Sequence, residues 1–185
     1  MKLMIISAVA FAASAAAAVA QPSGPSSSGP SSRSATAQSA TPTTASDYVR
    51  AAGASDHYEI TSSKAVLTDA RNEDVRRFAQ MMIDHHTMTT RDVTGAAKAA
   101  GMTPPPPAPD ARKAAMLQEL QAASGEARER LYARQQATAH EEALALHGGY
   151  ASNGDNPQLR AVAAKAVPII QQHLTEIRRI NTALD

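Results

Sequence analysis

With no cysteine, this 185-residue chain has no thiolate for metal binding or catalysis, and its six histidines, seven methionines and carboxylates are the side chains that could ligate a metal. Four residues stand out by their spacing. Glu59, His86, His140 and His173 each fall on the apolar stripe of a different helical segment. A carboxylate or imidazole on a face that should be buried is costly unless it is paired or coordinated, so one on each of four stripes points to a shared purpose. Three imidazoles and one carboxylate suit a single Zn, Cu, Mn or Fe ion, and reactivity would need a free coordination position. A dinuclear iron site instead needs Glu-x-x-His on two helices. The residues three before His86, His140 and His173 are Ile83, Ala137 and Ile170, which disfavours that chemistry. A metal-free hydrogen-bond network joining four helices is the competing reading.

A second constellation lies alongside. Met81, His85 and Met88 are about one helical turn apart, and soft thioethers with imidazole favour copper, above all Cu(I). The same spacing also serves core packing, for which methionine is well suited. His85 and His86 point about 100° apart on a helix, so they are not expected to share one ion.

These residues have to be positioned by helices. Helix A is expected from about Asp47 to Ala70, with Tyr48, Ala52, Ser55, Glu59, Ser62 and Val66 on one stripe, followed by a tight turn at Asn72 to Asp74. Helix B carries Val75, Ala79, Met82, His86, Thr89, Val93, Ala96 and Ala100 in alternating steps of four and three. Gly101 should end it. Pro104 to Pro107 and Pro109 make a stiff extended crossover, after which Asp110 can cap a short helix bearing Met116, Leu117 and Leu120. Helix C runs from after Ser124-Gly125 to about Tyr150, with Ala133, Ala137, His140, Leu144 and His147 on its stripe. Pro157 suits the start of helix D, whose stripe is Leu159, Val162, Ala166, Ile170, His173, Ile177, Ile180 and Leu184. Pro168 within it should kink or divide the helix.

The expected fold is therefore all-α: a ferritin-like four-helix bundle with a Pro-rich crossover and an extra short helix between helices B and C. A short link joins each hairpin, and an antiparallel A–B pair brings Glu59, 13 residues before Asn72, level with His86, 14 after it. In the other hairpin His140 lies ten residues before Tyr150 and His173 16 after Pro157, an offset of about 9 Å at 1.5 Å per residue.

The bundle should occupy residues 47–185. Residues 1–20 read as a secretory signal peptide, from the charged Met1-Lys2 start, the uncharged run to Ala18 and the small residues Ala18-Val19-Ala20. Residues 21–46, almost wholly Ser, Pro, Thr, Ala and Gly, read as a disordered linker. With no second long apolar run, stable membrane insertion after signal cleavage is not expected. Removing Lys2 leaves 17 basic against 17 acidic residues with no basic block, which argues against nucleic acid as a partner. The expected location is periplasmic or secreted.

Several segments resemble the exported, ferritin-like family of the domain of unknown function 4142. Tyr48-Val49 through Ala52 to Glu59-Ile60 is similar to its aromatic-Val…Ala…Glu-hydrophobic pattern, and Phe78-Ala79-Gln80-Met81-Met82-Ile83 with His86 to its F-A-x-x-M-hydrophobic-x-D-H segment. Leu120 to Gly125, Tyr132 and His140 resemble its L-x-x-L-S-G…Y…H segment, and Pro168 with His173-Leu174 its closing L-P-x-x-x-x-H-L. Three positions depart: His85 stands where the family usually has Asp, Arg128 replaces an aromatic residue and Glu129 replaces an Asp. Met82 to Met88 also resembles the M-I-x-H-H-x-M segment of a second exported ferritin-like family, one linked to copper handling. The resemblance carries no settled activity. The functional expectation is an exported protein binding one metal ion through Glu59, His86, His140 and His173, with binding favoured over catalysis. A metal-free structural or stress-related envelope interaction module is the first alternative, and a metal-dependent oxidase or peroxidase the second.

Overall fold

Local signals start and stop the helices largely where expected. The computed structural model describes residues 41–185; the expected signal peptide and residues 21–40 of the expected linker lie outside the described residues. Thr44 accepts a hydrogen bond from the Asp47 amide, so α1 (Ala45–Val66) begins two residues inside the segment read as linker. It also ends earlier than Ala70, because Leu67 to Asp69 tighten into a turn with amides bonded back to Ser63, Ala65 and Val66. The Asn72 side chain accepts from the Asp74 and Val75 amides to start α2 (Glu73–Ala99). Gly101 ends it at φ 77°, with its amide on the Lys98 carbonyl and the Met102 amide on that of Ala97. That reciprocal pair needs the left-handed backbone glycine adopts at little cost.

After the proline crossover, Asp110 caps the short α3 (Ala111–Ala122). It is followed by α4 (Gly125–Asn153) and α5 (Pro157–Leu184), the latter capped by Asn156 with Pro157 in its first turn. α5 continues as one helix through Pro168, so of the kink or division expected there, division does not occur. Pro168 and Ala164, whose carbonyl loses its usual amide partner, are both exposed, so water can satisfy that carbonyl.

Among the described residues there are five helices and no strand, packed as an all-α bundle. α1 lies beside α2 and α4, α5 lies beside the same two, and α3 covers α1 and α4. No helix of the described residues is long and apolar enough to cross a membrane. Glu129 and Arg128, two of the departures from the family pattern, tie the end of the bundle together. The Glu129 carboxylate accepts the Arg71 and Asn72 amides at 2.5 and 2.8 Å, while Arg128 pairs with Asp69 at 2.8 Å and also donates to the Thr68 hydroxyl.

The core has two apolar ends. Val66, Val75, Phe78, Met82, Tyr132, Ile177 and Ile180 pack in one cluster, and Tyr48, Val49, Val93, Tyr150 and Leu159 in the other. Burying each such aliphatic or aromatic side chain contributes about 1.5–3 kcal/mol, enough for the two ends to carry an unfavourable middle. Between the two clusters every long helix buries polar groups, Ser55, Asp56, Glu59 and Ser62 on α1, His86 on α2, Gln136, His140 and His147 on α4 and His173 on α5, alongside the apolar Ala143, Ala166 and Ile170.

Candidate metal centre

His86, His140 and His173 converge from α2, α4 and α5, each offering one ring nitrogen within 4.8 Å of the others. The offset expected for the α4–α5 hairpin shrinks because α4 runs on to Asn153. His140 then lies 13 residues before the turn and His173 16 after it, a mismatch near 4.5 Å at 1.5 Å per residue, which two imidazoles span.

The hydrogen bonds determine which nitrogens face inward. His140 Nδ1 lies 2.8 Å from the Gln136 carbonyl, which only accepts, so Nδ1 carries the proton and Nε2 a lone pair. That Nε2 is 3.3 Å from His173 Nδ1, matching the separation of about 3.3 Å between two nitrogens bound to one tetrahedral ion at 2.0–2.1 Å. His86 Nδ1 is 2.8 Å from Asp56 Oδ1, whose other oxygen accepts from the Thr90 hydroxyl at 2.9 Å. This leaves His86 Nε2 buried without a partner. The far nitrogen of His173, Nε2, lies 2.8 Å from His85 Nδ1. His85 therefore stays outside the three-imidazole cluster, as its angle on the helix implied, yet it holds the cluster's third ring.

Glu59 is 1% exposed. Both of its carboxyl oxygens are buried and form no hydrogen bond; the nearest imidazole nitrogen, His140 Nδ1, is 3.8 Å away and already committed to Gln136. Glu59 thus stands beside the three rings rather than within their close group. A buried carboxyl with no partner is a costly arrangement, and among the described residues no Lys or Arg is buried in this layer to offset it.

The electrostatics favour a cation. Burial alone would depress His86, but its hydrogen bond to Asp56 and the charges of Glu59 and Asp56 more than reverse this and hold it above the ordinary imidazole range. His140 is held down by burial, which outweighs the opposing pull of Glu59, and is lowered further by His86. His173 falls to about 2 through burial and then through the three neighbouring imidazoles. Two rings therefore stay neutral, each with one lone pair, and the third prefers positive charge next to two carboxyls. A divalent ion satisfies all three conditions.

Met81 packs against the first apolar cluster, His85 turns to His173, and Met88 is 55% exposed. Sequence reasoning also passed over Asp56, the residue actually level with His86. Its one available signal was its place three residues before Glu59, on the same side of α1, in a helix already dense with buried Ser.

Further along the layer, His147 Nδ1 lies 3.0 Å from the Tyr48 hydroxyl. Burial pushes His147 down to about 4, with Asp56 opposing and His86 reinforcing the shift. Because its folded value lies below the unfolded 6.5, the associated stability is complete above pH 6.5 and is lost as pH falls towards 4. Urea unfolding at pH 7 and 4.5 should show a loss of about 2–3 kcal/mol from this ring, absent in His147→Gln. Equal losses in the two proteins would contradict a neutral, desolvated imidazole here.

A family model described as a domain of unknown function (DUF4142) matches residues 30–180. No curated protein matches the chain, and no solved structure does.

Proposed function

The chain belongs to the DUF4142 family, whose description names no activity, and we propose that it is an exported helical-bundle protein that holds one divalent first-row transition-metal ion through His86, His140 and His173, with Glu59 completing the set. The observation that carries this reading is the pairing of converging imidazole nitrogens with unpartnered buried atoms: His86 Nε2 and both Glu59 oxygens have no hydrogen bond. A hydrogen-bond network serving stability alone would be expected to satisfy these atoms, since a half-satisfied polar core is worse than an apolar one. Imidazole-rich donors suit Zn, Cu or Fe, and the carboxylate also admits Mn. Asp56 and His85 then act on His86 and His173 from behind, fixing which ring nitrogen is free.

Calorimetric titration of chelator-treated protein, purified without a His-tag, with Zn, Cu, Mn and Fe should show one equivalent binding more tightly than about 1 μM, near 8 kcal/mol. If none of the four does, the metal reading gives way to the interaction module. His85→Ala should weaken the same binding by about 10–100-fold without changing the stoichiometry. Met88→Ala should leave it unchanged. A loss of Cu(I) binding in Met88→Ala with His173→Ala unaffected would instead support the thioether site. Export places the protein in the periplasm or outside the cell, and intact mass of exported material should correspond to a start near Gln21.

A further inference from the structure

A cavity of about 20 Å³ lies against the imidazole cluster. His86 and His173 form part of its wall, while Glu59 and His140 do not. The remainder includes Asp56, whose carboxylate is engaged by His86, the small side chains of Ala143 and Ala166, and Ser55 and His147. The space suits one water molecule, and it has the polar groups a dry cavity lacks.

His147 is held in one tautomer. Burial raises the Tyr48 phenol well above its ordinary range, so it keeps its proton. The Tyr48 side chain is fully buried, and its one hydrogen-bond partner among the described residues is His147 Nδ1. Were Nδ1 the donor, the phenol hydrogen would be buried with nothing to receive it. The phenol therefore donates to Nδ1, and His147 carries its proton on Nε2. The Tyr48 ring is itself stacked on Tyr150 at 4.0 Å, which fixes it in place. The result is a neutral imidazole with its proton on Nε2, on a residue that lines a water-sized cavity beside two rings of the metal cluster and lies outside that cluster.

We propose that the ion held by His86, His140 and His173 takes one exogenous ligand of about a water molecule's size in this cavity, water, hydroxide or a single-atom anion, and that His147 is the residue that hydrogen-bonds it. The proposal rests on the metal reading above and adds the ligand class and the residue that selects it. Ala143 and Ala166 give the ligand its room; the cavity's small volume excludes larger ones.

The test uses the full chain loaded with Co²⁺, fluoride as the probe, and the cobalt d–d absorption as the readout, with cobalt content measured in parallel. Wild type should bind one cobalt and show a saturable fluoride-dependent spectral change, while imidazole, too large for the cavity, should produce none. His147→Leu should bind cobalt equally but fluoride about tenfold or more weakly, the effect of one hydrogen bond to a charged acceptor. His147→Gln, which keeps a donor, should recover most of the fluoride affinity. Tyr48→Phe provides a second route should His147→Leu fail to fold: it keeps the stacked ring, frees the tautomer and should weaken fluoride several-fold at unchanged cobalt content. Cobalt bound with no fluoride response overturns the cavity ligand and leaves the metal reading standing. Equal fluoride affinity in wild type, Tyr48→Phe and the foldable His147 variants overturns the role of His147. Failure of wild type to bind cobalt or any of the four ions removes both.

Discussion

His173→Ala should abolish stoichiometric metal binding and, with it, the thermal stabilisation that metal confers. An ion that binds only the native state adds about 2.7 kcal/mol when its free concentration is 100 times Kd. For a folded region of this size that is about 5–10 °C in Tm. The variant loses one of three converging nitrogens and also the ring that sits between His85 and His140, at 2.8 and 3.3 Å, so metal-free protein should lose about 1–3 kcal/mol as well. The two contributions separate cleanly. Differential scanning of wild type and variant, each with and without metal, should show a metal-dependent rise in the wild type alone. A Tm deficit of the same size with and without metal would mean that His173 serves a polar core and nothing more.

Glu59→Met should have effects of opposite sign in the two states. The substitution removes two buried oxygens that have no hydrogen-bond partner and keeps nearly the same volume. Burying a polar group without a hydrogen bond costs about 1–3 kcal/mol, so the metal-free variant, relieved of that cost, should be more stable than metal-free wild type. In the presence of metal the order should reverse, with the affinity weakened at least about tenfold by loss of the fourth donor and its charge. Parallel urea titrations with and without metal read both numbers. If Glu59→Met destabilises the metal-free protein, the carboxyl has a structural partner and is not held in reserve for a cation. Stabilisation combined with unchanged affinity would leave the ion to the three imidazoles alone.

The helices themselves and their buried faces were legible in the sequence because those properties are local. Thr44, Asn72, Asp110 and Asn156 supply cap oxygens within three residues of the amides they serve, and Gly101 stops α2 through its own backbone freedom. Periodicity placed Glu59, His86, His140 and His173 on inward faces, and all four are buried, because a helix's apolar stripe determines which way it turns. Pro168 does not divide α5, a case where the local rule is tempered by position, since Pro168 and Ala164 are both exposed.

Only the tertiary structure decided what those residues meet. A stripe gives the direction of a side chain around its own helix and says nothing of its height relative to a neighbour, which loop length and packing set. α1 ends at Val66 and α4 runs on to Asn153. These shifts of a few residues, about 1.5 Å each, make Asp56 rather than Glu59 the partner of His86 and bring His140 within reach of His173. His85, about 100° away from His86 on α2, still reaches His173 because α2 and α5 are adjacent. The pairing of Tyr48 with His147 spans 99 positions and has no local signature. Residue type and helical period thus determined that a polar layer would be buried, whereas the axial register of four helices determined which atoms in it are paired and which are left open.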